Sequence, residues 1–341
     1  MPESKYSICG IKNGISILFL CKGVVLGMSH HDIPFDIEEQ INSMKKYVVF
    51  TKRIKMKRLL EYAGYFRVSR YGKFLLSHTS TLKAKPDQEM LFALYKFDTE
   101  LRKIFFSYCK IAEVQFRSNL ANAVSLKTND PIFYINSAYY TPTQGEKDRR
   151  EKERNKRNFP KVLKNIKDAE KDIRQNVNKF PEFKEYRTGG SRSSRKIPCW
   201  AAFSSFEFGQ IIKIYAYLRG DLRKSVLEYG YSKDRYGKEI TKQMNTWLDA
   251  IRNLRNVCSH HNRLVGRTSS VVLIDRNDEN LSSQTDLFSR MYALKKVLSE
   301  KDSQQLEEDI NKLIKKTKID IYPLDILPND WEEKFERINP L

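Results

Sequence analysis

Apolar residues recur at three- and four-residue intervals over long stretches of this chain, and that spacing constrains the fold more than any other feature. Between Pro86 and Ser125 the apolar positions are Met90, Leu91, Leu94, Phe97, Leu101, Ile104, Phe105, Ile111, Val114, Leu120 and Val124. The same period returns over residues 200–218 and 247–258. Amphipathic helices show this period, whereas half-buried strands alternate apolar and polar residues. The sequence therefore predicts an all-α fold, a helical bundle, and Asp36 and Glu39 have the spacing of a capping box.

Positive charge limits the classes of partner. The 341 residues include 62 lysines and arginines against 42 aspartates and glutamates, a net charge of +20. Such an excess indicates nucleic acid or an anionic membrane surface, unless the chain is uniformly rich in lysine. It is not uniform, because residues 275–341 hold fifteen acidic and eleven basic residues. The apolar run at residues 15–21 is too short to cross a bilayer, so we expect a nucleic-acid partner and no membrane.

Residues 45–73 mix cations with aromatic rings. They contain ten lysines or arginines and the single acid Glu61. This mixture suits RNA, because rings stack on unpaired bases while cations bind phosphates. Alternatively, the rings form the inner face of a helix pair, and we expect most rings in the core and most cations exposed. The candidate RNA-binding residues of this region are Lys52, Arg53, Lys55, Lys57, Arg58, Arg67 and Arg70.

Shifts in composition divide the chain into five segments. They are an N-terminal extension without an assigned role (1–32), a helical N-terminal part (33–144), a long basic polar insertion (145–196), a second helical core (197–275) and an acidic helical C-terminal tail (276–341). The insertion contains eighteen basic and nine acidic residues. It is a candidate RNA-gripping arm, although its charge run over 146–157 equally fits a solvated helix with ion pairs.

Several kinds of chemistry find no support in the sequence. The five cysteines are scattered, and their odd number with no C-x-x-C argues against disulfides and zinc. No H-E-x-x-H, P-loop, G-x-G-x-x-G or G-x-S-x-G motif is present. We therefore predict no metal, no cofactor and a reducing, cytoplasmic location.

Residues 247–267, WLDAIRNLRNVCSHHNRLVGR, carry the most informative pattern. On a helical wheel of about 100° per residue, one stripe is apolar. Its members are Trp247, Ile251, Leu254 and Cys258. The opposite face carries Arg252, Asn256, Ser259, His260 and Arg263, with Arg255 at its edge. The wheel predicts that His260 faces outward, as a chemical candidate, and that His261 leans inward as a structural residue.

The R-x4-H spacing of Arg255 and His260, with Asn256 after the arginine, resembles the signature of the HEPN superfamily of RNA-cleaving and nucleotide-binding helical domains. The longer string LRNVCSHHNRLVGR resembles the L-R-N-x-x-A-H-H-x-R-L pattern of the Abi-like (AbiF/AbiD) abortive-infection family, with Cys258 in place of alanine. Segments 38–46, 94–103, 197–218 and 323–333 resemble that family in the same order. The basic insertion matches it less well.

This resemblance implies a HEPN-type helical bundle and an RNA-binding phage-defence protein that works with a structured noncoding RNA. It implies a catalytic role for Arg255, Asn256 and His260. The residue types agree, since histidine can deprotonate a 2′-hydroxyl and the arginine fork fits phosphoryl oxygens. We therefore predict a metal-independent endoribonuclease, and we add Arg252 and Arg263 to the RNA-binding candidates.

The number of copies follows from geometry. On a straight helix Arg255 and His260 point about 140° apart, so either the helix is distorted or two copies complete one site. In-line transfer uses a base and an acid, and each chain offers one suitable histidine, which favours a homodimer with a composite site. Two alternatives stay open: an RNA-binding protein without catalysis, and a HEPN toxin regulated by a partner nucleotidyltransferase.

Overall fold

The computed structural model describes residues 35–83, 85–143, 148–176, 178–231, 240–275, 278, 285–339 and 341. Within these ranges the chain forms thirteen α-helices and three short 3₁₀ helices, with no β-strand. The all-α prediction is confirmed. The predicted N-terminal extension (1–32) and the first residues of the insertion (145–147) lie outside the described residues.

The thirteen α-helices differ widely in length and in the loops that connect them. They are α1 (Ile37–Met44), α2 (Arg53–Ala63), α3 (Tyr65–Ser77), α4 (Thr79–Leu82), α5 (Gln88–Thr128), α6 (Arg149–Gln175), α7 (Cys199–Ser205), α8 (Phe208–Tyr217), α9 (Gly220–Gly230), α10 (Ile240–Ser259), α11 (Leu287–Val297), α12 (Glu300–Lys316) and α13 (Trp331–Arg337). The 3₁₀ helices are Phe133–Ile135, Ser137–Tyr139 and Pro181–Tyr186. The predicted capping box begins α1, because the Glu39 amide donates to the Asp36 carboxylate and the Asp36 amide donates to the Glu39 carboxylate, both at 2.8 Å.

Helix α5 is the axis of the bundle. It is 41 residues long and packs against α3, α7, α9, α10, α11 and α12. Most of its predicted apolar stripe is buried, including Leu94, Phe97 and Leu101. Val114 departs from the prediction, because its side chain is 60% exposed and the neighbouring Glu113 is buried instead. A carboxylate therefore occupies part of the inner face of this helix.

The C-terminal segment completes the core. Every residue of α11 is buried, including Arg290, Lys295 and Lys296, and α11 packs against α10 and α5. The Lys296 ammonium lies 2.6 Å from Asp278, which offsets the cost of burying the charge. One cluster of buried apolar residues extends from Ile41 to Ile338. The core is therefore continuous across the segments that composition distinguishes.

The basic insertion is a helix docked on the bundle. Helix α6 buries Leu163, Ile166 and Ile173 and packs against α8 and two of the 3₁₀ helices. Its N-terminal turns are exposed and carry i,i+3 ion pairs, Arg154–Glu151 at 2.9 Å and Lys156–Glu153 at 3.3 Å. The described part of the charge run is thus a solvated helix with ion pairs, which the sequence also predicts, and a contact with RNA there stays a prediction.

A buried carboxylate on α5 fixes the loop that follows α10. One Asp98 oxygen accepts the amides of Leu264 (2.9 Å) and Val265 (2.8 Å). The other accepts the Tyr71 hydroxyl of α3 at 2.6 Å and lies 3.1 Å from Nε of Arg102. Burial raises the pKa of Asp98, and the four donors oppose that shift because they favour the carboxylate. Helices α3 and α5 and the loop after α10 meet at this group.

Replacing Asp98 with alanine should lower the free energy of unfolding by about 3–5 kcal/mol, because the buried Arg102 guanidinium and two amides lose their acceptor. Glu100→Ala is the matched control on α5. Glu100 pairs with Lys103 at 2.8 Å on the surface, so its loss should cost under about 1 kcal/mol. Urea denaturation followed by circular dichroism measures both values. Equal losses for the two variants would contradict the anchoring role of Asp98.

Candidate active site

Helix α10 carries the R-x4-H motif and is locked by its apolar stripe. The predicted members are all buried: Trp247, Ile251, Leu254 and Cys258. The Trp247 indole donates to the Leu273 carbonyl at 2.7 Å, which holds the segment after the helix alongside it. Burial raises the pKa of Cys258 to about 12, so the thiol stays protonated. Cys258 therefore acts as a small apolar residue where the Abi-like pattern has alanine.

Arg255 lies on the side of α10 that faces α5. Its Nε is 3.7 Å from Oε2 of Glu113, whose side chain is buried. The same carboxylate pairs with Arg117 at 2.5 Å and with Lys110 at 3.5 Å. The Arg255 Nη1 donates to the Asn256 side-chain oxygen at 3.1 Å. Three cations share one acid, so this cluster carries a net positive charge. The contact with Arg255 is an ion pair without a hydrogen bond, because neither its Nε nor the Glu113 Oε2 has a hydrogen-bond partner within the described residues.

Glu113 and Arg117 belong to this cluster and are absent from the residues predicted from the sequence. The Arg117 guanidinium also donates to the Phe206 carbonyl at 2.6 Å, which connects α5 to the end of α7. A signal was present, because Asp98 and Glu113 both interrupt the apolar stripe of α5. A carboxylate in a buried stripe requires a partner, since an unpaired buried charge is costly. Such an interruption marks a position where another element brings a donor.

Helix α10 ends in a Schellman motif. The His261 amide donates to the Cys258 carbonyl at 3.2 Å, and the Asn262 amide donates to the Val257 carbonyl at 3.1 Å. His261 adopts the left-handed conformation, with φ of 53°, as this motif requires of its first residue beyond the helix. The polypeptide therefore turns sharply after Ser259.

The two histidines are both exposed. The outward orientation predicted for His260 agrees with the structure, and its amide donates to the Asn256 carbonyl at 3.1 Å. Its imidazole makes no hydrogen bond within the described residues. The inward orientation predicted for His261 is wrong, because the helical wheel does not continue past Ser259.

The two motif residues lie in different surroundings. Arg255 lies within α10, which is continuous from Ile240 to Ser259, and His260 lies just beyond its last residue. Arg255 is directed to Glu113 on α5, while His260 lies at the solvent-exposed end. On the polar face, the Arg252 guanidinium donates to Asp249 at 2.6 Å. The single chain thus presents the arginine and the histidine as separate groups.

The predicted RNA-binding cations around α2 are mostly paired with acids. Glu89 lies 3.1 Å from Lys52 and 3.2 Å from Lys55. The other pairs are Arg53–Glu38 and Lys57–Glu61. Among the described residues, Arg58 has no ion-pair partner. A phosphate at this surface would have to compete with carboxylates for all but one of the five cations.

The cations near α3 are arranged differently. Arg67 is half-buried and Arg70 is exposed, with its guanidinium carbon 4.2 Å from the centre of the Phe66 ring. Arg263, in the loop after α10, donates to the Arg70 carbonyl at 2.8 Å and stacks 5.0 Å from the Phe74 ring. Burial lowers the pKa of Arg263, although a guanidinium keeps its charge in proteins.

His261→Gly should raise the free energy of unfolding by about 1 kcal/mol, because glycine adopts the left-handed conformation without the penalty of a β-carbon. His260→Gly is the matched control. It lies outside the positive-φ positions and should give no such gain. Thermal or urea unfolding of the two variants separates them. A loss of stability in His261→Gly would contradict the account of this helix end.

A protein-family match covers the region that contains the R-x4-H motif. The family described as Abi-like protein matches residues 58–265. The match begins within α2 and ends at the loop held by Asp98. Searches of curated proteins and of solved structures found no match. The described residues contain no group of three or more metal-ligating side chains arranged around a common point, and none of their helices is both long enough and apolar enough to cross a bilayer. Because the match covers more than half of the 341 residues and includes Arg255 and His260, the chain belongs to the Abi-like family.

Proposed function

We propose that this protein is a metal-independent endoribonuclease of phage defence that works in complex with a noncoding RNA. Membership of the Abi-like family supplies the broader assignment, a role in abortive infection. The observation that carries the finer assignment is the state of the motif. His260 is exposed and its ring has no partner within the described residues, while Arg255 belongs to the cationic cluster around Glu113.

The proposed chemistry needs a base and a phosphate-binding cation. RNA is cleaved when its 2′-hydroxyl loses a proton and attacks the adjacent phosphate, while the P–O5′ bond breaks and the leaving 5′-oxygen takes up a proton. An imidazole can accept the first proton or donate the second near neutral pH. Glu113 holds the Nε side of Arg255, and Nη2 makes no hydrogen bond within the described residues. That edge of the fork can contact phosphoryl oxygens without first breaking another contact, which favours transition-state stabilisation.

Two copies of the chain would complete the site. Each chain exposes His260 and His261 just beyond the end of α10, and the R-x4-H motif assigns the chemistry to His260. Arg255 contacts Glu113 on α5, whereas His260 is exposed beyond the end of α10, and pairing of two chains can bring the arginine of one motif to the histidine of the other. The proposal therefore includes a homodimer that binds RNA across both motifs.

His260→Ala should reduce RNA cleavage by about 10²–10⁴-fold, the usual contribution of a general base or acid. Arg255→Ala should give a comparable loss through the missing phosphate contact. The assay follows labelled RNA in excess EDTA. Arg337→Ala is the matched arginine control, because Arg337 pairs with Glu333 on the surface of α13 and its loss should leave cleavage unchanged. Full activity of His260→Ala would remove the ribonuclease proposal and favour a protein that binds RNA without cutting it.

Mixing the two inactive variants tests the composite site. If each site takes Arg255 from one chain and His260 from the other, a heterodimer of Arg255→Ala and His260→Ala regains one working site. Random exchange of subunits should then restore about a quarter of the original activity. Size-exclusion chromatography confirms that dimers are present. If the mixture stays inactive although heterodimers form, both residues act from the same chain.

A further inference from the structure

A cavity of about 410 Å³ opens where the end of α3 meets the loop after α10 and the loop before α13. Its polar lining consists of Lys73, Ser77, His78, Arg263 and Asp325. The cavity is shallow and largely open to solvent, so an RNA strand could pass over it. Arg263 is three residues beyond His260, in the loop that Asp98 anchors. The cavity is therefore connected to the motif through a short, fixed segment of backbone.

The two cations of the cavity are not neutralised. Neither Lys73 nor Arg263 forms an ion pair with a described residue. Arg263 uses one N–H group on the Arg70 carbonyl, and its other donors have no acceptor in the described part of the chain. The wall behind it depends on Gly266 (φ of 62°), because a β-carbon there would lie 2.1 Å from the Phe74 ring. This close contact fixes the loop against α3 and gives the cavity a rigid back.

His78 offers one free ring nitrogen to the cavity. Its Nδ1 is 2.8 Å from the Phe74 carbonyl, and a carbonyl can only accept, so Nδ1 carries the proton. Nε2 is then the open position, and it has no partner within the described residues. Among the described residues of the lining, Asp325 is the single carboxylate. Lys73 and Arg263 therefore suit a phosphate, whereas Asp325 and Nε2 suit hydroxyl or amine donors.

An exposed stripe on α3 leads to this cavity. Phe66, Arg70, Lys73 and Ser77 follow one another at intervals of four, three and four residues, which places them on one helix face. The Phe66 side chain is 72% exposed and Arg70 stacks on it. Exposed rings beside cations stack on unpaired bases. The α2 cations also have an exposed ring nearby, Tyr62, but carboxylates already pair with most of them.

We propose that the cavity binds one nucleotide of single-stranded RNA, with its phosphate on Lys73 and Arg263 and its sugar hydroxyls near Asp325. A neighbouring base stacks on Phe66, so the strand follows α3 toward the loop that carries Arg263. This inference rests on the proposed function for the identity of the polymer. It adds the path of the strand along α3. This path selects unpaired RNA over duplex, because a base inside a duplex is already stacked on both sides and is not free to stack on Phe66.

Fluorescence anisotropy of a labelled single-stranded oligoribonucleotide tests the path. The full chain carries His260→Ala in every variant, so the probe stays intact. Lys73→Ala should weaken binding about tenfold and reduce the slope of log affinity against log salt by about 0.7, the value for one phosphate contact on a single strand. Phe66→Ala should also weaken binding about tenfold but leave the slope unchanged, because stacking releases no counterions.

Two further variants separate a lost contact from a lost fold. Asp325→Asn keeps an acceptor oxygen for the sugar hydroxyls and a residue that tolerates the left-handed conformation of this position (φ of 48°). It also removes a negative charge near the phosphate, so affinity should not fall, and a loss of affinity would contradict the proposed placement of the nucleotide. Lys316→Ala is the matched lysine control. Lys316 is exposed on α12 and has no ion pair within the described residues, and its loss should change neither affinity nor slope.

The outcomes are distinct. If Lys73→Ala and Phe66→Ala bind like Lys316→Ala, the proposed path is wrong. If AMP displaces the probe at a concentration equal to that of the probe, the proposal of an RNA strand is wrong and the cavity binds a free nucleotide. Cleavage by the chain with His260 intact is measured in parallel in EDTA. If the chain with His260 cleaves RNA but the cavity variants bind the probe normally, only the proposed path is wrong. If the cavity variants lose binding but the chain with His260 does not cleave RNA, only the ribonuclease proposal is wrong.

Discussion

The Asp98 carboxylate is the contact on which the arrangement around the motif depends. The loop after α10 is irregular backbone, yet Leu264 and Val265 are fully buried, and buried amides need an acceptor. Asp98 provides it from α5 and also holds the Tyr71 hydroxyl of α3. Glu113, fifteen residues further along α5 and about 22 Å away along its axis, holds Arg255. One long helix thus sets both ends of the region that contains the motif.

The sequence predicts features that arise within one helix. The capping box at Asp36 and the buried stripe of α10 are confirmed, because local hydrogen bonds and periodicity determine them. It does not predict contacts between distant segments, such as Lys52 with Glu89. The burial of Lys296 also depends on such a contact. A lysine is expected on the surface because of its charge, and the sequence does not show that the fold places Asp278 beside it. The exposure of His261 was missed because periodicity does not show where a helix stops.

The candidate site draws its order from charges that lie beneath it. Glu113 is buried and lies within ion-pair distance of Lys110, Arg117 and Arg255, so these cations are gathered around α10 in the absence of any ligand. A preorganised cluster costs little reorganisation when a phosphate binds. The exposed pairs around α2 have the opposite character, because their cations exchange partners easily and each pair contributes little to stability.

The burial of α11 affects how the protein matures during translation. Helix α10 leaves the ribosome before α11, yet α11 covers α10 and α5. A nascent chain that ends at the motif therefore leaves part of the apolar surface of α10 and α5 uncovered. Domains fold as units while synthesis proceeds at about 5–20 residues per second, so several seconds separate synthesis of the motif from completion of its support. A premature stop codon between the motif and α11 would leave this apolar surface exposed for good, which favours aggregation of the truncated chain.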